Sequence, residues 1–254
     1  MTTALITGAS RGLGAALADG LARLGWNLVI DARTEAELHA TAAELRTTAA
    51  ELHTTAADLQ TTAELSRLTT VVAIAGDVVD DDHRAALADA AKSLGGADLL
   101  VNNASTLGGS PPPALADFPL PALLDTFEVN VLAPIALTQL VLPQLRLAPA
   151  GGVLNISSDA AIEAYPGWGG YGAAKAALDQ ASAVLAVEEP GLRVWSVDPG
   201  DLRTRLQQEA FPGEDISDRP LPETVVPILL ALVRQRPPSG RYRAADLLAN
   251  GVAR

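Results

Sequence analysis

The chain has 254 residues, a formal charge of -12 at pH 7 and no cysteine. That charge repels a phosphate backbone, and with no lysine or arginine cluster as a local exception, nucleic acid is not an expected partner. Without cysteine, disulfides, thiolate metal sites and cysteine nucleophiles are all excluded. The start, MTTALITGAS, lacks a basic region followed by a long apolar stretch, and VVPILLALV is too short to span a bilayer. A soluble, cytoplasmic protein with no membrane partner is therefore expected.

In chain order, the short β-rich runs ALIT, NLVI, TVVAIA, DLLVN, GGVLNISS and LRVWSVD alternate with amphipathic segments long enough to be crossover helices. Such alternation predicts an α/β fold: a doubly wound parallel sheet with helices on both faces. No Pro/Gly-rich linker divides the series, so residues 1–254 are expected to form one domain. The proline run in LGGSPPPALADFP, residues 107 to 119, reads as an ordered loop between a strand and a helix.

One segment departs from this rhythm. Between Leu38 and Ala63 the chain nearly repeats itself as TAAELRT, TAAELHT and TAADLQT. Leu38, Leu45, Leu52 and Leu59 fall a heptad apart, with Ala42, Ala49, Ala56 and Ala63 between them. A long helix over about 35–66 is predicted, with a narrow apolar seam. Its threonines lower helical propensity, so the body of the protein or a second subunit should cover that seam. It reads as an expanded surface helix, and no function is assigned to it.

The first predicted strand runs into TGASRGLGAAL, residues 7 to 17, and then into a helix. Gly8, Gly12 and Gly14 permit a tight turn and close approach to a ligand, while the helix N-terminus offers unpaired N–H groups to an anion. The segment Gly8, Ser10, Arg11, Gly12, Leu13, Gly14 is a candidate pyrophosphate cradle, although its G-x-x-x-G-x-G spacing differs from the common dinucleotide G-x-G-x-x-G. At the end of the second strand, VIDARTE places Asp31 within the strand, Ala32 at the position that discriminates between dinucleotides and Arg33 just beyond. A basic residue there accommodates the 2′-phosphate of NADP, and Arg11 is a second candidate, so NADP(H) is favoured over NAD(H).

The stretch SSDAAIEAYPGWGGYGAAK, residues 157 to 175, holds two serines, two tyrosines and one of the chain's two lysines. On a helix, Tyr171 and Lys175 share a face. A free phenol has a pKa near ~10, and a neighbouring ammonium favours the phenolate. Lys175 is thus expected to make Tyr171 a usable acid/base. Tyr165 has glycine at the same offset and is not the equivalent candidate.

TGASRGLG, NNAS, NISS, YGAAK and DPGDLRT occur in the order and approximate spacing of the classical short-chain dehydrogenase/reductase family, which the chain resembles over nearly its whole length. The resemblance implies a Rossmann-type fold and an oxidoreductase that transfers a hydride between NADP(H) and a carbonyl or secondary alcohol. By the same resemblance Ser158 hydrogen-bonds the substrate oxygen, Tyr171 passes the proton, and Lys175 also binds the nicotinamide ribose. Asn130 supports a water-linked proton path to the lysine. Asp77 and Val78 look like the adenine-side contact, Asn103 and Ala104 like the adenosine-side wall, and Pro199, Gly200 and Thr204 like the segment beside the carboxamide.

Two departures stand out. Ser105 replaces the usual glycine of NNAG, and the ending GRYRAADLLANGVAR lacks the VDGG-like pattern common in tetrameric members. A homodimer through the helices carrying Asn130 and Tyr171 is expected. A catalytically silent dinucleotide-binding scaffold and a non-redox epimerase or dehydratase on the same fold remain as alternatives.

His39, His53 and His83 are not spaced as a metal-ligand pair and read as solvated helix faces, so no metal is expected. No G-x-S-x-G elbow suggests a hydrolase. Residues 159 to 170, with Tyr165 and Trp168, and a loop at 207 to 220 should face the substrate, for which a small, uncharged carbonyl compound is favoured.

Overall fold

The computed structural model describes residues 2–58 and 69–249; of residues 52–58 the backbone alone is described. Seven strands form one sheet: β1 (Thr3–Ile6), β2 (Asn27–Ala32), β3 (Val71–Ala75), β4 (Leu99–Asn102), β5 (Gly152–Ile156), β6 (Arg193–Asp198) and β7 (Gly240–Arg243). They lie in the order β3-β2-β1-β4-β5-β6-β7, and every pairing is parallel. The order reverses direction between β1 and β4, so a crevice opens there at the carboxyl ends of the strands.

Buried aliphatic runs explain the central strands: β1, β4 and β5 are buried at every position, as expected when helices cover both faces. On one face lie α1 (Gly12–Arg23), α2 (Glu35–Asp58) and α8 (Val226–Gln235). On the other lie α3 (Asp81–Ser93), α5 (Ala133–Leu147) and α6 (Gly169–Glu188). Three short helices complete the set: α4 (Leu120–Phe127), α7 (Arg205–Ala210) and α9 (Ala244–Ala249).

The repeat helix is covered by the body of the protein. Leu38, Ala42, Leu45 and Ala49 are all buried in the core. Thr41 donates its hydroxyl to the Ser10 carbonyl, and Arg46 reaches the Val71 carbonyl. The later seam positions Leu52, Ala56, Leu59 and Ala63 lie outside the residues whose side chains are described, as does the predicted end of the helix near residue 66.

Two expectations need correction, and one helix is longer than the sequence pattern suggested. β7 was not among the predicted strands; its GRYR sequence is short and charged, the character of a protected sheet edge. Residues 207 to 210, read as loop, continue the helix α7, which Thr204 caps by accepting from the Gln207 amide. Finally, α4 and α5 run on through a π-helical turn (Glu128–Leu132) as one stretch, Leu120–Leu147, of 28 residues, long and apolar enough to cross a membrane by length and composition. One side of it packs on the sheet through Leu137, Val141 and Leu145, while Leu120, Leu124, Leu132, Leu140 and Leu147 are exposed.

Candidate active site

The turn from β1 into α1 is shaped by its glycines. Gly8 and Gly12 have φ of +65 and +57, a region in which side chains are strained. A Cβ on Gly14 would stand 2.5 Å from the Gly8 carbonyl oxygen and 2.5 Å from Asn103 Nδ2. Gly14 therefore lies beneath the loop rather than on its open face, and Asn103 braces the loop by donating Nδ2–H to the carbonyls of Thr7 and Gly8. The Thr7 hydroxyl accepts from the Asn103 and Ala104 amides, which locks β4's exit to β1's.

Behind this loop, Asp31 is 1% exposed. Its Oδ1 accepts from the Gly8 amide at 2.8 Å, and its Oδ2 lies 3.0 Å from His83 Nε2. Burial raises the Asp31 pKa, opposed by the His83 and Gly8 hydrogen bonds. His83 is thus a buried partner of the loop and not a solvated helix face. The pair spans 52 positions in the chain, and no local spacing announces it. Asp31 lies within β2, as expected; the strand ends at Ala32, and Arg33 emerges exposed with no ion pair among the described residues. Arg11, the second candidate for a phosphate, is bound instead to Glu37 at 2.7 Å.

A cleft of about 730 Å³ follows the carboxyl ends of the strands. Its walls bring together the predicted Gly8, Ser10, Arg11, Gly12, Leu13, Arg33, Asp77, Val78, Asn103 and Ala104 at one end. Ser158, Tyr171, Lys175, Pro199, Gly200 and Thr204 follow at the other. Gly14 and Asn130 do not line it.

Asn130 sits in the π-turn, fully buried. Its Oδ1 accepts from the Thr106 amide at 2.9 Å and the Ser105 hydroxyl at 3.1 Å, while its Nδ2–H donates to the Thr106 carbonyl at 2.8 Å. The paired main-chain bonds fix the amide's orientation. Asn130 thereby shapes the loop after β4, and Ser105 joins it to the cleft wall.

Lys175 is 2% exposed and donates to the Ile156 carbonyl at 2.8 Å. Burial lowers its pKa to about 8, against the opposing charge of Asp179. Its nitrogen lies 5.5 Å from the centre of the Tyr171 ring. Tyr171 is buried as well, and burial raises its pKa, with the Ser105 and Ser158 hydroxyls acting in the opposite direction and Asp159 and Asp198 reinforcing the rise. The net shift of the phenol is therefore upward and not downward as expected: desolvation of the phenolate outweighs the groups that favour it.

Ser158 leaves β5 in extended backbone and caps the short turn Asp159–Ala161, its oxygen accepting from the Ala160 amide at 3.2 Å and its hydroxyl donating to Asp159 Oδ1 at 3.0 Å. Tyr165 sends its hydroxyl towards Asp159 Oδ2 and Glu163 Oε2. Trp168 packs edge-on against Tyr171 with centroids 5.6 Å apart and near Phe211 at 6.2 Å. The same end of the cleft is also lined by Val129, Leu206 and Phe211 with Asp159, Asp201 and Arg205.

A model of the family described as short chain dehydrogenase matches residues 2–73 and 61–215. Sepiapterin reductase of Mus musculus is 37% identical over 216 residues, covering 81% of this chain and 76% of that protein. A short chain dehydrogenase from Shigella flexneri complexed with NADP superposes with a TM-score of 0.81 at 27% identity, covering 96% of this chain and 97% of the other. A short chain dehydrogenase from Escherichia coli complexed with NADPH gives a TM-score of 0.77 at 28% identity, covering 96% of each.

Proposed function

The chain belongs to the short-chain dehydrogenase family, and from that premise we propose that it is an NADP(H)-dependent oxidoreductase interconverting a carbonyl compound and a secondary alcohol. The observation that carries this reading is the gathering of Ser158, Tyr171 and Lys175 on one wall of a cleft whose other end is the glycine cradle.

The residues present suit a dinucleotide. The cradle is so close-packed that a Cβ on Gly8 would meet Ala104 Cα at 2.9 Å, and backbone open to an anion follows it at the start of α1. Arg33, exposed at the end of β2 with no ion pair among the described residues, supports the choice of NADP(H) over NAD(H), as do the similar proteins complexed with NADP and NADPH. Gly8 through Leu13 would hold the pyrophosphate, Asp77, Val78, Asn103 and Ala104 the adenosine side, and Pro199, Gly200 and Thr204 the carboxamide side. When bound, the nicotinamide supplies or takes up the hydride.

The chain's own groups manage the oxygen and its proton. Ser158 donates a hydrogen bond to the substrate oxygen, and Tyr171 gives that oxygen its phenolic proton as negative charge develops there. Proton delivery leaves a phenolate, which Lys175 and the Ser105 and Ser158 hydroxyls stabilise. Asn130 holds the loop carrying Ser105 and supports the route by which Lys175 is reprotonated. Trp168, Phe211, Leu206 and Val129 give the substrate an apolar wall, and the carboxylates of Asp159 and Asp201 disfavour anionic compounds. A small, uncharged carbonyl compound fits this lining best.

The exposed leucines of the stretch Leu120–Leu147, together with Val184 and Val187 on α6 at 44% and 80% exposure, support a homodimer through these two helices.

The test is nicotinamide absorbance against a panel of aldehydes, ketones and quinones with NADPH and NADH in parallel, and Tyr171→Phe as control. Turnover that prefers NADPH and falls by about 10²-fold or more in the variant is the expected result. Dinucleotide binding without consumption across the panel would overturn the redox reading in favour of a scaffold or a non-redox reaction.

A further inference from the structure

The strand missed by sequence places an arginine, Arg241, against α6, the helix that carries Tyr171 and Lys175. β7 reads Gly240-Arg241-Tyr242-Arg243, and strand alternation sends Tyr242 to the core beneath α8 and α9 and the two arginines to the opposite face. Arg241, paired in register with Ser196 of β6, is 23% exposed. Its guanidinium forks. Nη2–H donates to the main-chain carbonyl of Ser158 at 2.8 Å, and Nε–H donates to Asp179 Oδ2 at 2.9 Å.

Asp179 lies one helical turn beyond Lys175 on α6, 13% exposed, and its Oδ1 is buried with no hydrogen-bond partner among the described residues. Arg241 is the cation that compensates this carboxylate. Its Nη2 is also 4.0 Å from Asp198 Oδ2, which Arg243 approaches at 3.8 Å.

We infer that Arg241 is a positioning residue of the active site, holding the Ser158 backbone with one arm of its guanidinium and restraining the Asp179 carboxylate behind Lys175 with the other. A planar fork with fixed donor directions suits this double task, and a lysine could not perform both halves. The serine arm rests on the reading of Ser158 as a catalytic residue; the Asp179 arm rests on geometry alone.

The titratable and charged groups of this cluster are Asp179 beside Lys175 and the Tyr171 phenol on the same helix, Asp159 after β5 and Asp198 at the end of β6, which act on that phenol, and Arg241 and Arg243 from β7. Asp179 favours the ammonium, and Arg241 offsets Asp179. Removing Arg241 therefore strengthens the field that holds the proton, and removing the Asp179 charge weakens it.

The chain has two lysines, Lys92 and Lys175, so protein labelled with ¹³C at lysine Cε gives two signals, and the buried Lys175 is followed against pH. Relative to wild type, the Lys175 midpoint should rise by about one pH unit in Arg241→Met and fall by a similar amount in Asp179→Asn. Arg241→Lys, which keeps the charge, should leave the midpoint close to wild type yet lower kcat about tenfold through the lost hold on Ser158, with the dinucleotide KM unchanged.

An unchanged midpoint in Arg241→Met, or shifts of the same sign in both variants, would overturn the coupling. An unchanged kcat in Arg241→Lys would overturn the serine arm. If Arg241→Met does not fold, Asp179→Asn and Arg241→Lys carry the test. A wild-type protein that turns over no carbonyl sinks the proposed activity, while the lysine titration still decides whether Arg241 and Asp179 govern Lys175.

Discussion

The Lys175 ammonium is bound to the main-chain carbonyl of Ile156, two positions before Ser158, so the end of β5 and the helix carrying Tyr171 are tied together by the lysine itself. Its burial has a consequence for stability. The folded-state pKa is depressed to about 8 from 10.5. Below the folded value the lysine is charged in both states, and its desolvation cost is fully present. Between the two values the unfolded chain binds the extra proton, so this group's contribution to stability rises with pH. Any stability advantage of Lys175→Met over wild type should therefore shrink by roughly 3 kcal/mol between pH 7 and 11. Denaturant midpoints of the two proteins across that range provide the check, and a constant difference would refute it.

Ser105 stands where a glycine is usual, beside both Asn130 and the Tyr171 phenol. Its hydroxyl favours the phenolate, so Ser105→Gly should raise the pKa that Tyr171 shows in the pH profile of alcohol oxidation, moving the rate-limiting rise to higher pH. The associated loss in kcat at neutral pH should be about 10- to 100-fold, the worth of one hydrogen bond to a charged group. Steady-state profiles with a substrate found by the panel measure both quantities.

The two arginines of the dinucleotide end predict opposite effects. Arg33→Ala removes an unpaired cation and should weaken NADPH binding by about 10–100-fold while leaving NADH nearly unaffected. Glu37→Gln releases Arg11 from an exposed ion pair and should tighten NADPH binding by only a few-fold, since such a pair is worth about 1 kcal/mol at most. Fluorescence titration with both nucleotides separates these outcomes.

A charge placed in the exposed leucine face should dissociate the proposed dimer. Leu132→Arg and Val187→Arg, at positions 56% and 80% exposed, should each yield a folded monomer by light scattering after gel filtration. A wild-type protein that is itself monomeric would refute the assembly.

How far these features were legible depends on how local their signals are. The glycine cradle, the Tyr171–Lys175 pair and the alternation of aliphatic strands with helices are periodic or contiguous, and they appear in the structure where the sequence places them. Ala32 and Arg33 fall at the end of β2 because strand alternation fixes their register. By contrast, β7 is an edge strand with two arginines in four residues, and neither its propensity nor its hydrophobicity marks it. The Asp31–His83 pair and the Arg241 fork join residues distant in the chain, so only folding brings them together. The direction of the Tyr171 shift was missed because spacing reveals the neighbouring ammonium but says nothing of how completely the phenol is withdrawn from water.

Asp31 carries a last implication for the cradle. Its side chain takes the Gly8 amide, and its main-chain carbonyl takes the Ala9 amide at 2.8 Å. The opening residues of the glycine turn are thus already spent on the neighbouring strand, and the attractive force left for a negatively charged guest comes from the uncommitted first-turn amides of α1. In the proposed complex the pyrophosphate is accordingly held by a helix tip kept at a set angle, with β2 serving as the bracket that sets it, and Arg33 adds a separate hold on the 2′-phosphate.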